Sequence, residues 1–95
     1  MEVVPAINCE DLNCVKEKLD VAKKFLAPHS WVHIDVADAR FTPNKTWGNP
    51  EELGELVAAY PEMRFEIHLM VENPETVVDA WLAAGAKRII VHVEV

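Results

Sequence analysis

The sequence predicts an α/β fold built on a parallel sheet, in a single domain over residues 1–95. Segments rich in β-branched and aromatic residues alternate with segments of helical periodicity, as strand and helix three times and then a final strand. The tripeptide Asn-Pro-Glu opens two of the helices, at positions 49 and 73, which is typical of a repeated strand-helix unit. Half of the residues are hydrophobic (51%), and the sequence contains no linker or low-complexity tract.

The first half of the chain predicts a strand, a helix and a second strand. A short apolar run over residues 3–8 is compatible with the first strand. Apolar residues recur at helical spacing over residues 11–26, with lysines mostly on the other face, and Pro28 ends this helix. Residues 31–36 are rich in β-branched and aromatic side chains and predict the second strand, which a loop over 37–48 follows.

The second half predicts two further helices, each followed by a strand. Asn49 is a good N-cap residue, and the proline and glutamates after it suit the first turn of a helix. Residues 65–71 predict the third strand. Asn73 begins the same signal again, Gly85 occupies the position of a left-handed residue after the third helix, and residues 88–95 predict the fourth strand.

The acidic composition excludes some classes of partner. Sixteen acidic and nine basic residues give a formal net charge of −7, which disfavours binding to nucleic acid or to anionic lipid. No apolar run reaches the roughly 18–20 residues of a membrane span, and the N-terminus does not have the pattern of a signal peptide. We interpret Cys9 and Cys14 as ordinary thiols rather than a disulfide or a metal site, and we expect a cytoplasmic protein.

Polar side chains collect on one face of the predicted sheet. Side chains alternate between faces along a strand, so the apolar positions of the second, third and fourth strands face the helices. The opposite face carries His33, Asp35, Glu66, His68, His92 and Glu94. The carboxyl ends of strands are where α/β barrels place their chemistry. Two imidazoles and a carboxylate on adjacent strands, His33, Asp35 and His68, would make three ligands of a Zn, Mn or Fe site.

A second interpretation of this face needs no ligand. The histidines and carboxylates would then be solvated residues on a bare sheet face, or core histidines with satisfied hydrogen bonds. A His-x-Asp pair with another histidine one strand away favours the metal site, but the spacing is only moderately specific.

Several motifs, in order and at matching separations, resemble a known family. They are Trp31-Val32-His33-Ile34-Asp35-Val36-Ala37-Asp38, Phe41-Thr42-Pro43-Asn44, His68-Leu69-Met70-Val71-Glu72-Asn73-Pro74, Ala84-Gly85-Ala86 and Val91-His92-Val93-Glu94. Over about residues 5–94, the chain resembles the first half of ribulose-phosphate 3-epimerase, a metal-dependent TIM barrel. The resemblance implies a half-barrel of strands one to four, in the order β-α-β-α-β-α-β.

The resemblance also implies roles for individual residues. His33, Asp35 and His68 match three of the family's four ligands for a divalent metal such as Zn, Mn or Fe. Asp35 also matches one of two catalytic carboxylates, which exchange the C3 proton of a pentulose 5-phosphate on opposite faces while the metal stabilises the enediolate. The positions implied to line the substrate are Ala6, Met70, His92 and Glu94.

The chain departs from the family pattern in ways that bear on activity. The second catalytic aspartate, which is also the fourth metal ligand, and the glycine-rich phosphate-binding loops belong to later strands that this sequence does not contain. Ala6 replaces a serine that touches substrate, and Ala37-Asp38-Ala39 replaces Met-Asp-Gly. We therefore expect little or no epimerase activity from the chain alone, and the metal could have been lost with it.

Four parallel strands leave two unpaired edges, so we expect self-association. Two identical halves related by a twofold axis would close an eight-stranded barrel, with strand four of one chain beside strand one of the other. The partner's His68 would then lie near the position of the missing aspartate, and a homodimer could share the metal site. The alternatives are a non-catalytic self-associating scaffold and a subunit that needs a separate second half.

Overall fold

The computed structural model describes residues 4–39 and 45–92, in which strands and helices alternate. In sequence order, the elements are β1 (Ala6–Ile7), α1 (Leu12–Lys23), β2 (Trp31–Ala37), α2 (Pro50–Ala59), β3 (Arg64–Met70), α3 (Val78–Ala84) and β4 (Arg88–Val91). A 3₁₀ turn, Pro74–Thr76, precedes α3. Within the described residues, no helix is long and apolar enough to cross a membrane.

The four strands form one parallel sheet in the order β1-β2-β3-β4, so strands that follow one another in sequence are neighbours in space. β2 and β3 pair along their whole length, from Trp31 with Arg64 to Ala37 with Met70. Successive strands are connected through helices, as parallel pairing requires. This architecture confirms the predicted α/β fold, and its strand order is that of half a TIM barrel.

The hydrophobic core lies between the sheet and the helices. Every second side chain of β2 and β3 is buried in it, namely Val32, Ile34, Val36, Phe65, Ile67 and Leu69. The helices contribute the apolar stripes that their periodicity predicts, with buried Val15, Leu19, Leu53, Leu56 and Trp81. Trp47, in the loop before α2, packs edge-on against Trp81 with ring centroids 5.9 Å apart. Because these buried positions face the helices, the alternate positions of β2 and β3, which include the polar residues, share the other face of the sheet.

Residues close in the sequence set several of the helix ends. The Asp11 carboxylate accepts a hydrogen bond from the backbone N–H of Cys14 at 2.8 Å. The Asn49 side chain accepts one from the backbone N–H of Glu52 at 3.2 Å, as expected of an N-cap. Gly85 follows α3 with a φ of 119°, which is the predicted left-handed conformation. These helix ends are therefore determined by residues close to them in the sequence.

The second Asn-Pro-Glu signal does not start an α-helix, and this part of the prediction is wrong. Asn73 has a φ of 56°, and its side chain makes no capping hydrogen bond. Pro74–Thr76 forms a 3₁₀ turn, and α3 begins only at Val78. Asparagine tolerates the left-handed region better than most residues, so Asn73 turns the chain after β3 instead of capping a helix.

The two outer strands are shorter than predicted. In the described part of the chain, β1 covers only Ala6–Ile7 and pairs only with β2. Pro5 has no backbone N–H to donate, although its carbonyl accepts a hydrogen bond from the His33 N–H at 2.9 Å. β4 ends at Val91, and the last three residues of the predicted strand, among them Glu94, lie outside the described residues.

The cysteines form a disulfide, so their interpretation as free thiols is wrong. Cys9 lies in the loop after β1, Cys14 lies in the first turn of α1, and their Cα atoms are 5.7 Å apart. The chain reverses direction between strand and helix, which brings two residues five positions apart within bridging distance. Free thiols had supported the expected cytoplasmic location, and a disulfide removes that support because disulfides are rare in a reducing cytosol. The location stays a prediction.

Candidate metal centre

Polar side chains line the face of the sheet opposite the helices. His33 and Asp35 lie on β2, and Glu66 and His68 lie beside them on β3. The strand register pairs His33 with Glu66 and Asp35 with His68. The side chains of His33, Asp35 and His68 are mostly buried, with 18%, 19% and 21% of their surface exposed. Together, these four residues form a polar strip across the two central strands.

The Asp35 carboxylate joins the two histidines. Its Oδ1 atom lies 2.9 Å from Nε2 of His33 and 3.0 Å from Nδ1 of His68. One possible ligand atom from each of these residues lies within 4.8 Å of the other two. The sheet register thus places two imidazole nitrogens and a carboxylate oxygen around one point.

These three donors fit a divalent cation. A tetrahedral zinc ion with ligand bonds of about 2.0–2.1 Å holds its ligand atoms roughly 3.3 Å apart. The two contacts to Oδ1 of Asp35, at 2.9 and 3.0 Å, would lengthen by only a few tenths of an ångström to admit an ion. Imidazole and carboxylate ligands suit zinc, iron and manganese. The donor set and its spacing therefore support a metal site at the predicted position.

Hydrogen bonds around His33 favour positive charge on this strip. Burial lowers the pKa of His33, but its hydrogen bonds with Glu66 and Asp35 outweigh burial and raise the pKa above the ordinary value of 6.5. The bond with His33 also lowers the pKa of Glu66 against the effect of burial, with help from Arg88. An imidazolium ion or a bound cation would supply the charge that these carboxylates favour.

His68 has a different second partner from His33. Its Nε2 atom lies 2.8 Å from Nε2 of His92, just beyond β4, and the two ring centroids are 4.9 Å apart. One of these nitrogens must carry the hydrogen, since two lone pairs at this distance would repel. His92 is exposed and extends the polar strip from β3 to the edge of the sheet.

Three of the four residues predicted to line the substrate lie within the described part of the chain. Ala6 is exposed and pairs with His33 in the β1–β2 register. Met70 is half-buried at the carboxyl end of β3, two positions after His68 and therefore on the same face. Both lie beside the three donors, as does His92, whereas Glu94 lies outside the described residues.

Two residues beside the polar strip, Arg88 and Trp31, are not among the site residues predicted from the sequence. Arg88 donates from Nε to Oε1 of Glu66, and its guanidinium carbon lies 4.0 Å from the centroid of the Trp31 ring. Strand alternation could have predicted this position, because Arg88 precedes His92 by four residues and therefore lies on the same face of the strand. Trp31 similarly precedes His33 by two positions and shares its face of β2.

Comparison with known proteins decides the family. The model of the ribulose-phosphate 3-epimerase family matches residues 2–95. The chain belongs to the ribulose-phosphate 3-epimerase family. Similar curated proteins named ribulose-phosphate 3-epimerase include those of Treponema pallidum, at 36% identity over 78 residues, and Synechocystis, at 34% identity over 92 residues. The protein of Chlamydia trachomatis is 38% identical over 95 residues.

The chain is much shorter than these relatives. The matches cover 80% of this chain for Treponema pallidum and 97% for the other two, but only 35–38% of the relatives' own length. The membership confirms the resemblance found in the motifs, and the family is metal-dependent in general.

Proposed function

We propose that this chain is the metal-binding half of an epimerase-type barrel, which acts on a pentulose 5-phosphate when a second half completes it. The observation that carries the proposal is the convergence of His33, Asp35 and His68, whose ligand atoms lie within 4.8 Å of one another. They occupy the second and third strands of a sheet with half-barrel order, in a member of the ribulose-phosphate 3-epimerase family. A divalent zinc, manganese or iron ion is the cofactor that we propose.

The chemistry follows from what a carbon acid requires. A proton next to a carbonyl is only weakly acidic, and a divalent cation at the site would stabilise the negative charge that develops on the substrate oxygen. The Asp35 carboxylate would remove or return the C3 proton from its own side of the sugar. Inversion at carbon also needs an acid or base on the opposite side, and the described residues supply this pair of groups only in part. We therefore propose that the chain alone binds metal but turns over substrate weakly or not at all.

The second half would be another copy of the same chain. In the described residues, β1 and β4 each pair with one strand only, so one side of each is open. Ile90 and Val91 of β4 are 37% and 38% exposed, which leaves apolar surface at that edge. Pairing β4 with β1 of a second copy around a twofold axis would satisfy both edges. A separate chain carrying the second half, or a scaffold without metal or activity, is the competing outcome.

Metal binding tests this proposal directly. Titration calorimetry with Zn²⁺ and Mn²⁺ should show binding by the purified chain, and His68→Asn should weaken it by more than about 100-fold, beyond the usual effect of an outer-shell change. His29→Asn is the matched control, since His29 is exposed in a loop, has a φ of 64° that asparagine tolerates, and should leave affinity unchanged.

Two results would contradict the proposal. A chain that binds neither ion would be a scaffold, with a face of hydrogen-bonded histidines and carboxylates. If His68→Asn weakened Zn²⁺ binding no more than the control His29→Asn, His68 would not be a ligand of the ion. An assay of pentulose 5-phosphate epimerisation, with and without the ion, then tests whether the bound metal serves this chemistry.

A further inference from the structure

Glu66 is a buried carboxylate whose two oxygens have different partners. Its side chain, on the polar face of β3, is only 9% exposed. Oε2 lies 2.6 Å from Nδ1 of His33, and Oε1 accepts a hydrogen bond from Nε of Arg88. The proposed function uses His33 as a ligand but gives Glu66 no role, although the Glu66–His33 contact is the shortest one to the ring.

Arg88 holds the carboxylate in one orientation. A guanidinium group has only donors, so Oε1 of Glu66 is committed to Arg88. The arginine is itself held against an aromatic ring, because its guanidinium carbon lies 4.0 Å from the centroid of Trp31. A second guanidinium, that of Arg64, lies 4.4 Å from the same centroid. With one oxygen fixed in this way, Oε2 is directed at His33.

The direction of the Glu66–His33 hydrogen bond determines which ring nitrogen is free. An ionised carboxylate can only accept, so Nδ1 of His33 must be the donor. A neutral imidazole has one hydrogen, and once it is on Nδ1 the lone pair is on Nε2. That atom lies 2.9 Å from Oδ1 of Asp35, which is also an acceptor, so an unprotonated Nε2 suits this contact when a cation lies between the two atoms.

We propose that Glu66 is a positioning residue that fixes the tautomer and the ring orientation of His33, so that Nε2 is the metal ligand. The inference rests on the proposed metal site and adds the residue that prepares it. It makes Trp31, Arg88, Glu66 and His33 one connected chain of contacts that ends at the ion. His68 is oriented in another way, since its Nδ1 faces Asp35 and its Nε2 forms a hydrogen bond with His92 and not with a carboxylate.

Glu66→Gln tests this assignment with almost no change of shape. Arg88 can only donate, so the amide oxygen of the glutamine would face Arg88 and its NH₂ group would face Nδ1 of His33. The ring would then have to accept at Nδ1 and carry its hydrogen on Nε2, where the metal should bind. We expect Zn²⁺ affinity to fall about 10–100-fold, as is usual when an outer-shell partner is lost.

Nitrogen NMR gives a readout that a merely structural role would not move. In the metal-free chain, at a pH where the ring is neutral, His33 should carry its hydrogen on Nδ1, and in Glu66→Gln on Nε2. Glu62→Gln is the matched control, because Glu62 is exposed in the turn before β3 and makes the same chemical change away from the strip. It should alter neither tautomer nor affinity.

The outcomes separate this inference from the proposed function. If the wild-type chain binds no metal, the metal site is wrong, while the tautomer of the metal-free ring still tests the role of Glu66. If the wild type binds metal and Glu66→Gln binds it equally well with an unchanged tautomer, the positioning role is wrong. Should Glu66→Gln fail to fold, Arg88→Met removes the anchor at a side chain that is 52% exposed. It should weaken Zn²⁺ binding by a smaller factor, and unchanged affinity there would also overturn the inference.

Discussion

Two histidines of similar exposure are held in different ways on the same face of the sheet. His33 lies between two carboxylates, those of Glu66 and Asp35, and its pKa is raised. His68 lies between Asp35 and the imidazole of His92. The partners, rather than the residue type, therefore decide the tautomer of each ring. Only the sheet register brings these partners together, since Glu66 and His33 are 33 positions apart in the sequence.

At the residue scale, we predict an unusual titration of Tyr60, the single tyrosine of the chain. Burial and a hydrogen bond donated to Oδ1 of Asp20 raise the pKa of Tyr60 from 10.0 to about 12. This favours the neutral phenol in the folded state, so its contribution to stability is complete below about pH 10 and is lost as the pH rises through about 12. The ultraviolet absorbance of the phenolate, followed against pH, should show the high midpoint.

The Asp20 carboxylate provides the control for that titration. Asp20→Asn removes the charge that disfavours the phenolate, so the midpoint should fall towards 10.0, the ordinary value. Asp79→Asn makes the same change at an exposed position of α3 and should leave the midpoint high. A folded wild-type chain that titrates near 10 would contradict the Tyr60–Asp20 contact.

At the scale of single elements, the same tripeptide leads to two structures. Asn49 caps α2 in an extended conformation, whereas Asn73 adopts a left-handed one and precedes a 3₁₀ turn. Propensity allows both states of asparagine. The β3–α3 connection is short, and Asn73 turns the chain there before the helix can start. Local signals therefore predicted that a helix follows each motif, but not where α3 begins.

Two glycines offer a test of backbone strain at this scale. Gly85→Ala should lower the free energy of unfolding by about 1–3 kcal/mol, because an alanine would be strained at a φ of 119°. Its Cβ would also lie 2.9 Å from Cγ2 of Val57. Gly54→Ala, inside α2, meets only ordinary contact with the Ala84 carbonyl at 3.9 Å. It should stabilise the chain by about 0.5–1 kcal/mol through helix propensity.

Urea unfolding of both glycine variants measures these changes. Opposite signs are the expected result, because one glycine is required by the backbone and the other is not. A Gly85→Ala variant as stable as the wild type would mean that neither the left-handed turn nor the close approach to Val57 is a property of the folded chain.

At the scale of the whole molecule, the described residues form a sheet that is covered on one face and whose outer strands, β1 and β4, each pair on one side only. The helices cover the apolar face, while the polar strip lies on the face that would become the barrel interior. In a closed barrel, the interior is packed by side chains from all strands, so an isolated half leaves this face in contact with water. The open edges and the polar interior thus point to the same proposed solution, a second half.

We predict a dimer in solution that a charge at β4 would prevent. Light scattering on a sizing column should give twice the mass of the chain, and Ile90→Lys should give the mass of one chain. Ile90 is 37% exposed, so the lysine is tolerated in the monomer but would be placed at the closing seam. Leu82→Lys, at a 45% exposed position of α3, is the control and should remain a dimer. A wild-type chain that is monomeric at every concentration would rule out the symmetric barrel.

The sequence by itself determined the alternation of strands and helices, the apolar face of each, and the presence of His33, Asp35 and His68 on one side of the sheet. These follow from periodicity and from alternation along a strand, which depend on residues a few positions apart. The motifs that carried the family resemblance are likewise short and local.

Only the tertiary structure decided which side chains meet. Strand pairing brings Glu66 to His33 and Arg88 to the ring of Trp31. The reversal of the chain between β1 and α1 brings Cys9 to Cys14. A shift of one residue in register would send each strand's side chains to the opposite face. The pairing of β2 with β3, set by packing of Val32, Ile34, Phe65, Ile67 and Leu69 in the core, is the physical reason that the donors converge.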